Sequence, residues 1–208
     1  MSGPVGGQPG GPPGGPLDAV GWPVRTERLL LRPARVEDVA ATYRIRSLPE
    51  VAQWITSAPG DPASYAASFT EPERLARTLV VELGTDGGPV VGDLMLWVGD
   101  GWAQAEVAEA ARASEAELGW VLDPAHAGRG LATEAVRVLL ETCFTTLALR
   151  RVTAQCFTDN TASWRLMERV GMRRESHAVR ESLHRELGWL DSFGYAVLAE
   201  EWCAAREL

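Results

Sequence analysis

The sequence contains no lysine: all 20 of its basic side chains are arginine. That absence excludes every chemistry built on an ε-amine, including P-loop phosphate binding, Schiff bases and the Ser-x-x-Lys acyl enzymes. Asparagine is almost as scarce, with Asn160 standing alone. A coding bias favouring Arg and Ala accounts for both gaps, yet the place where the single Asn survives matters below. Histidine is limited to His126, His177 and His184, without zinc spacing, so no metal site is expected. Cys143, Cys156 and Cys203 are odd in number and lie within apolar patterns, which predicts reduced core thiols in a reducing compartment. No apolar run approaches the ~18 residues of a membrane span, and no basic-then-apolar leader is visible, so the expected location is the cytoplasm.

Positive charge is also the minority sign, with 20 basic against 28 acidic residues and a net charge of −8. Nucleic-acid affinity needs clustered Lys and Arg, so a phosphate-backbone binder is disfavoured, whereas a cationic partner such as an amine suits the balance. With 46% apolar and 23% charged residues in 208, the chain is long enough for one globular domain with tails. Residues 1–22, dominated by GPVGGQPGGPPGGP, cannot offset their ordering entropy by burial and are expected to form a flexible tail. Residues 23–208 are expected to form a single folded domain.

Within it, ERLLLRPA predicts a strand stopped by Pro33, and VEDVAATYRIRS a helix closed by Pro49. A further helical stretch is expected over 62–76. TLVVEL (78–83) and VVGDLMLWV (90–98) read as a hairpin across TDGGP. The Ala/Glu-rich segment 99–114 reads as an inserted loop or short helical arm. AELGWVL (116–122) is a strand, 130–147 an amphipathic helix, 150–157 a strand and 161–170 a helix stopped by Gly171. The last strands are placed within 186–198. This order predicts an α/β fold with a mixed sheet.

Two places carry chemistry. In DPAHAGRG, Gly128 and Gly130 flank Arg129 where a strand turns into a helix. Glycines there uncover backbone N–H groups beside a helix start, a place for an anion, although they also serve a plain turn. One element later, Asn160 opens a helix with Ser163 three residues on, and a simple Asn cap fits equally well.

Taken together, four fragments resemble the GNAT superfamily of acyl-CoA N-acyltransferases, specifically its RimJ/RimL-like branch. They are RTERLLLRPARVEDVAATYRI, ELGWVLDPAHAGRGLATEAVRVLLETCF, DNTASWRLMERVGMRRES and LGWLDSFGYAVLAEEW, in order over about 25–205. The resemblance implies a mixed, mostly antiparallel sheet with helices on both faces and a V-shaped splay between strands 116–122 and 150–157. Acyl-CoA, by default acetyl-CoA, would be the co-substrate and no metal would be needed. Its pantetheine amides would pair with main chain near Trp120, Val121 and Leu122. Its pyrophosphate would rest on N–H groups of Ala127, Gly128, Arg129, Gly130, Leu131, Ala132 and Thr133. Asn160 would bind the pantetheine side, and Ser163 would serve the leaving thiolate.

Three positions depart from the family pattern. Ala127 stands where a Gln or Arg is usual, Met167 where many relatives carry a tyrosine acid, and Gln155 where one subgroup has a glutamate base. The general base is therefore assigned first to Glu117, on the strand that forms the acyl pocket, with Asp191 and Glu82 in reserve. Glu117 as a merely structural carboxylate is the alternative. Main-chain N–H near Val121 would meet the oxyanion of the tetrahedral intermediate. Trp97 and Trp120 read as core aromatics; Trp102, with Glu106 and Glu109 nearby, is a candidate lining of an acceptor site, although a solvated, functionally idle loop is the favoured reading of that segment.

The expected activity is direct transfer of an acyl group to a primary amine. The branch favours a protein N-terminal α-amine, and aminoglycoside, polyamine or amino-acid acceptors share the same scaffold. A non-catalytic acyl-CoA-binding module is the competing class. Homodimers are common among similar proteins. Neither a nucleic-acid nor a membrane partner is expected.

Overall fold

A computed structural model describes residues 16–84 and 86–205. The expected tail lies outside the described residues as far as 15. From there inward the chain is already committed: Leu17 and Val20 are buried, and the Trp22 indole donates to the Leu17 carbonyl. The folded region thus reaches back before residue 23.

The strands are β1 (Val24–Arg25), β2 (Leu29–Pro33), β3 (Thr78–Leu83), β4 (Val90–Gly99), β5 (Glu115–Leu122), β6 (Arg151–Phe157), β7 (Arg173–His184) and β8 (Gly188–Leu198). They form one sheet in the order β1-β2-β3-β4-β5-β6-β8-β7. Every neighbouring pair is antiparallel except β5 with β6. This is the expected α/β architecture with a mixed sheet. The expected last strands, both within 186–198, are corrected. β7 already begins at Arg173 and lies along the sheet edge, and its run RRESHAVRESLH is almost wholly exposed. An edge strand that buries neither face shows no apolar alternation, so nothing in its composition announces it.

Helices follow their caps. α1 (Val39–Arg46) is followed by α2 (Pro49–Ala52), α3 (Pro62–Phe69) and α4 (Pro72–Leu75), and each of these last three begins on a proline. Proline at the first helical position costs nothing, because that N–H has no partner inside the helix. Pro49 therefore opens a helix rather than only closing one. The stretch expected over 62–76 is split, because Glu71, preceding Pro72, is held extended at ψ 131. The segment 99–114 holds a 3₁₀ helix, Ala105–Ala111.

α5 (Leu131–Thr145) and α6 (Thr161–Arg169) press Leu131, Val136, Leu139, Leu140, Leu166 and Met167 against Leu29, Leu31, Leu79 and Leu96 of the sheet. On the opposite face Ile45 and Val51, from the α1–α2 segment, pack on Val121. α7 (Ala199–Ala204) follows β8. Among the described residues no helix is long and apolar enough to cross a membrane.

Candidate active site

β5 and β6 part company early. Their parallel pairing covers only Glu115↔Arg151, Ala116↔Val152 and Glu117↔Thr153. Beyond that point β5 stays paired to β4 as far as Leu122, and β6 to β8 as far as Phe157. Residues 118–122 thus present one unpaired main-chain edge to a gap. The Arg150 N–H donates to the Ser114 carbonyl at one end of β5, and the Asp123 N–H donates to Val91 at the other. Alternation between these anchors turns the main-chain groups of Leu118, Trp120 and Leu122 into the gap and those of Val121 toward β4. The expected oxyanion donor near Val121 is thereby narrowed: of the N–H groups beside it, those of Trp120 and Leu122 face the gap.

The gap opens into a cleft of about 1740 Å³. The glycine turn forms one end of it. Gly128 (φ +73) and Gly130 (φ +76) take left-handed conformations that other residues adopt only under strain. The first intrahelical bond of α5 runs from the Glu134 N–H to the Gly130 carbonyl, so the N–H groups of Leu131, Ala132 and Thr133 have no partner within the helix. The turn is pinned from outside: Arg28 donates 2.8 Å to the Arg129 carbonyl and pairs with Glu134. Burial disfavours the Glu134 charge, but hydrogen bonds from Thr26 and Arg28 outweigh it and hold the carboxyl below its ordinary range. Arg169 reaches the Thr133 hydroxyl at 3.3 Å.

Ala127, Gly128, Gly130, Leu131, Ala132 and Thr133 line the cleft, as do Trp120, Val121, Leu122, Asn160, Ser163 and Glu117. Arg129 does not; its side chain is exposed beside the turn. The Asn160 side-chain oxygen accepts the Ser163 N–H at 3.2 Å, so the cap is realised, and its amide nitrogen is left over. Ser163 is buried and sits beside Cys156, whose thiol is pushed up to about 11 by burial, with Ser163 acting in the opposite sense. Cys156 therefore stays protonated. Only Cys143 is a buried core thiol, and Cys203 is exposed.

Glu117 stands on the last rung before the gap. It lines both the main cleft and a second cavity of about 370 Å³ formed with Thr153, Gln155, Ser176 and others. Among the described residues its carboxyl has no hydrogen bond or ion pair, and the surrounding protein removes enough water to push its pKa above the ordinary value. The two reserves are elsewhere. Glu82 is buried against Arg32 and the Gly87 N–H, and Asp191 binds His177 and the Arg180 N–H.

Opposite the glycine turn, the wall includes residues that sequence reasoning passed over. Arg46 grips the buried Asp93 through both carboxylate oxygens. Tyr65, Ser68, Arg74 and Arg77 continue it. Single arginines on short helices carry no spacing signal, so only the fold reveals them. Trp102 is 93% exposed and it, Glu106 and Glu109 lie outside the cleft, which agrees with the favoured reading of a solvated loop and not with an acceptor-site lining. Trp97 is 49% exposed rather than core. No group of three or more His, Cys, Asp or Glu able to hold a metal occurs among the described residues.

This geometry has close parallels. Residues 28–173 match the family model described as acetyltransferase (GNAT) domain. The Uncharacterized N-acetyltransferase YnaD of Bacillus subtilis (strain 168) is 38% identical over 86 residues, 41% of this chain and 50% of that protein. The chain thus spans about half the length of that curated relative. A GNAT-family acetyltransferase structure from Bacillus anthracis superposes with a TM-score of 0.71 at 28% identity, covering 85% of this chain and 98% of that one. Mycobacterium smegmatis RimJ in complex with CoA-disulfide gives 0.65 at 25% identity, covering 89% and 96%.

Proposed function

The chain belongs to the GNAT acetyltransferase family, and we propose that it transfers an acetyl group from acetyl-CoA to a primary amine. One observation carries the reading: the unpaired edge of β5, the helix start of α5 and the unpartnered Glu117 all open on the same cleft. The free edge offers alternating donors and acceptors to the amides of a pantetheine arm, as an added strand would. The N–H groups at the start of α5 suit a pyrophosphate, and Arg169 adds a cation beside them.

An amine attacks a thioester only when neutral. Glu117 accepts its proton, directly or through one water, and its raised pKa brings it closer to the base strength this task needs. The Trp120 or Leu122 N–H meets the negative charge that develops on the carbonyl oxygen. The Ser163 hydroxyl then donates to the departing thiolate, and Asn160 holds the arm through its spare amide nitrogen.

Likeness to RimJ supports an α-amine as the attacking group. A small amine is the second reading, favoured by a specific observation: Arg74 and Arg77 stand on the acceptor wall without an ion-pair partner. Polyamines and aminoglycosides, cationic throughout, fit that wall poorly. The reading is tested by following CoA release from acetyl-CoA over a panel of amino acids, peptides, polyamines and aminoglycosides. Turnover with any of these amines that exceeds hydrolysis supports it. CoA release no faster than hydrolysis throughout the panel contradicts it.

A further inference from the structure

The wall of the cleft across from the glycine turn is built around an arginine held in an unusual setting. Arg74 lies over the rings of Tyr65 and Phe69, with its guanidinium carbon 4.9 and 5.2 Å from their centroids. Its guanidinium donates to the Ser68 hydroxyl at 2.9 Å, and among the described residues no carboxylate lies within ion-pair distance. The platform itself is fixed. Tyr65 and Phe69 are buried and stacked at 5.6 Å, and Tyr43 packs on Tyr65 at 5.4 Å. Partial burial weakens the hold of the Arg74 guanidinium on its charge, and the more distant Asp93 and Glu71 carboxylates only partly offset this. Three residues on, Arg77 is a second cation that also lines the cleft and, among the described residues, has no ion pair.

Among the described residues no carboxylate is paired with either arginine, although Asp93 and Glu71 act on Arg74 from a distance. Arg46, the third arginine on the wall, is spent on Asp93. Glu50 and Glu71 line the same region, but both are exposed and neither comes within ion-pair distance of an arginine. A planar guanidinium fixed on an aromatic platform and paired with no described carboxylate matches a carboxylate ligand in shape and charge.

The sheet register sets the distance to the reacting centre. Arg77 precedes Thr78, which pairs with Met95 on β4, and Met95 pairs with Gly119 on β5. Gly119 lies two residues beyond Glu117, at the level where β5 leaves β6. The Arg77 backbone therefore starts two strand spacings, roughly 10 Å, from the gap, and both arginines line the cleft that opens from it.

We propose that Arg74 and Arg77 form a carboxylate subsite for the acceptor, so that the substrate is a small amine bearing a carboxylate a few bonds from its nitrogen. This rests on the acetyl-transfer reading: the amine faces Glu117 while the carboxylate is held across the cleft. The two ends together fix the orientation of the attacking nitrogen.

The test compares ω-amino acids of two to six carbons with their own primary amides, which differ only in the charge at the far end. CoA release gives kcat/KM for each pair, and calorimetry gives affinity for the protein with and without acetyl-CoA. At the best chain length the acid should exceed its amide at least tenfold. In Arg74→Gln and in Arg77→Gln that ratio should fall toward one, chiefly through KM. The second variant leaves the stacked platform intact, so loss of folding in the first does not spoil the result. Equal performance of acid and amide at every length, or a preference that survives both substitutions, would overturn the subsite. Calorimetry reads the preference without turnover, so a protein that binds acids but transfers nothing would contradict the acetyl-transfer reading and leave the subsite standing.

Discussion

Glu117 on β5 and Thr153 on β6 face each other across the last rung of a three-residue parallel ladder, and immediately beyond them the two strands diverge. The carboxylate proposed as base is thus fixed to the hinge of the opening that would receive the thioester. A strand position places it more firmly than a loop would, because its backbone is held by β4 on the other side through Trp97.

Replacing Glu117 by Gln should therefore separate activity from stability. We expect kcat to fall by about 10²–10⁴, with acetyl-CoA affinity unchanged. Glu117 is exposed to the gap, yet the protein around it raises its pKa, so the folded state binds the proton somewhat more tightly than the unfolded state does, and ionisation costs a little stability as pH rises through the shifted value. The Gln variant should accordingly melt no lower than the parent at neutral pH. In the parent, kcat/KM should decline as pH falls through a limb lying above the usual glutamate value, and that limb should vanish in the variant. A large drop in melting temperature instead would make Glu117 a structural residue.

Asn160 has two jobs that different substitutions divide. Aspartate keeps an oxygen for the Ser163 N–H but loses the amide donor, whereas alanine loses both. We expect Asn160→Ala to cost about 1 kcal/mol of stability and Asn160→Asp to cost little. Both should raise KM for acetyl-CoA. Denaturant melts and initial rates on the two variants check the split. Unchanged KM in Asn160→Asp would reduce the residue to a cap.

At the glycine turn, Gly130→Ala must hold a φ of +76, which costs roughly 1–2 kcal/mol in a residue with a Cβ. Because relief of that strain would shift the N–H groups of Leu131 to Thr133, acetyl-CoA affinity should fall along with stability. A variant that loses stability but keeps full affinity would show that these N–H groups do not hold the pyrophosphate.

Acid stability should depend on a buried triad remote from the cleft. Arg32 binds Asp38 through two bonds of 2.8 Å and Glu82 through a third of 2.8 Å, and all three residues are buried. Burial works against the Asp38 charge, but hydrogen bonds from Arg32 and the Arg35 N–H win and hold its pKa below the usual value. Its contribution is then complete above the ordinary aspartate pKa and is lost as pH falls through the depressed one. Asp38→Asn should cost about 3–5 kcal/mol at neutral pH, and its penalty should shrink in acid melts.

Sequence reasoning reached the elements that bury a patterned face and missed those that do not. α5 was legible because its apolar residues recur at helical spacing and meet the sheet. β7 was not, because an exposed edge strand has no face to encode. The glycine turn and the strand carrying Glu117 were legible through the order of the fragments along the chain; whether Glu117 is the base is the question the Gln variant answers. Arg74 and Arg77 were not, because their significance lies in a platform assembled from α3 and in the partners they lack. The donor at the gap fell between these cases: the strand was evident, but which N–H faces the opening depends on register, and a shift of one residue reverses it.

The most direct test of the central claim is thermal unfolding with and without millimolar acetyl-CoA, with free CoA as a control. A ligand present at about 100 times its Kd adds roughly 2.7 kcal/mol, worth about 5–10 °C in a chain of this size. The account predicts such a rise with both ligands, because the helix start and the free strand edge hold the parts they share. No rise with either would contradict it.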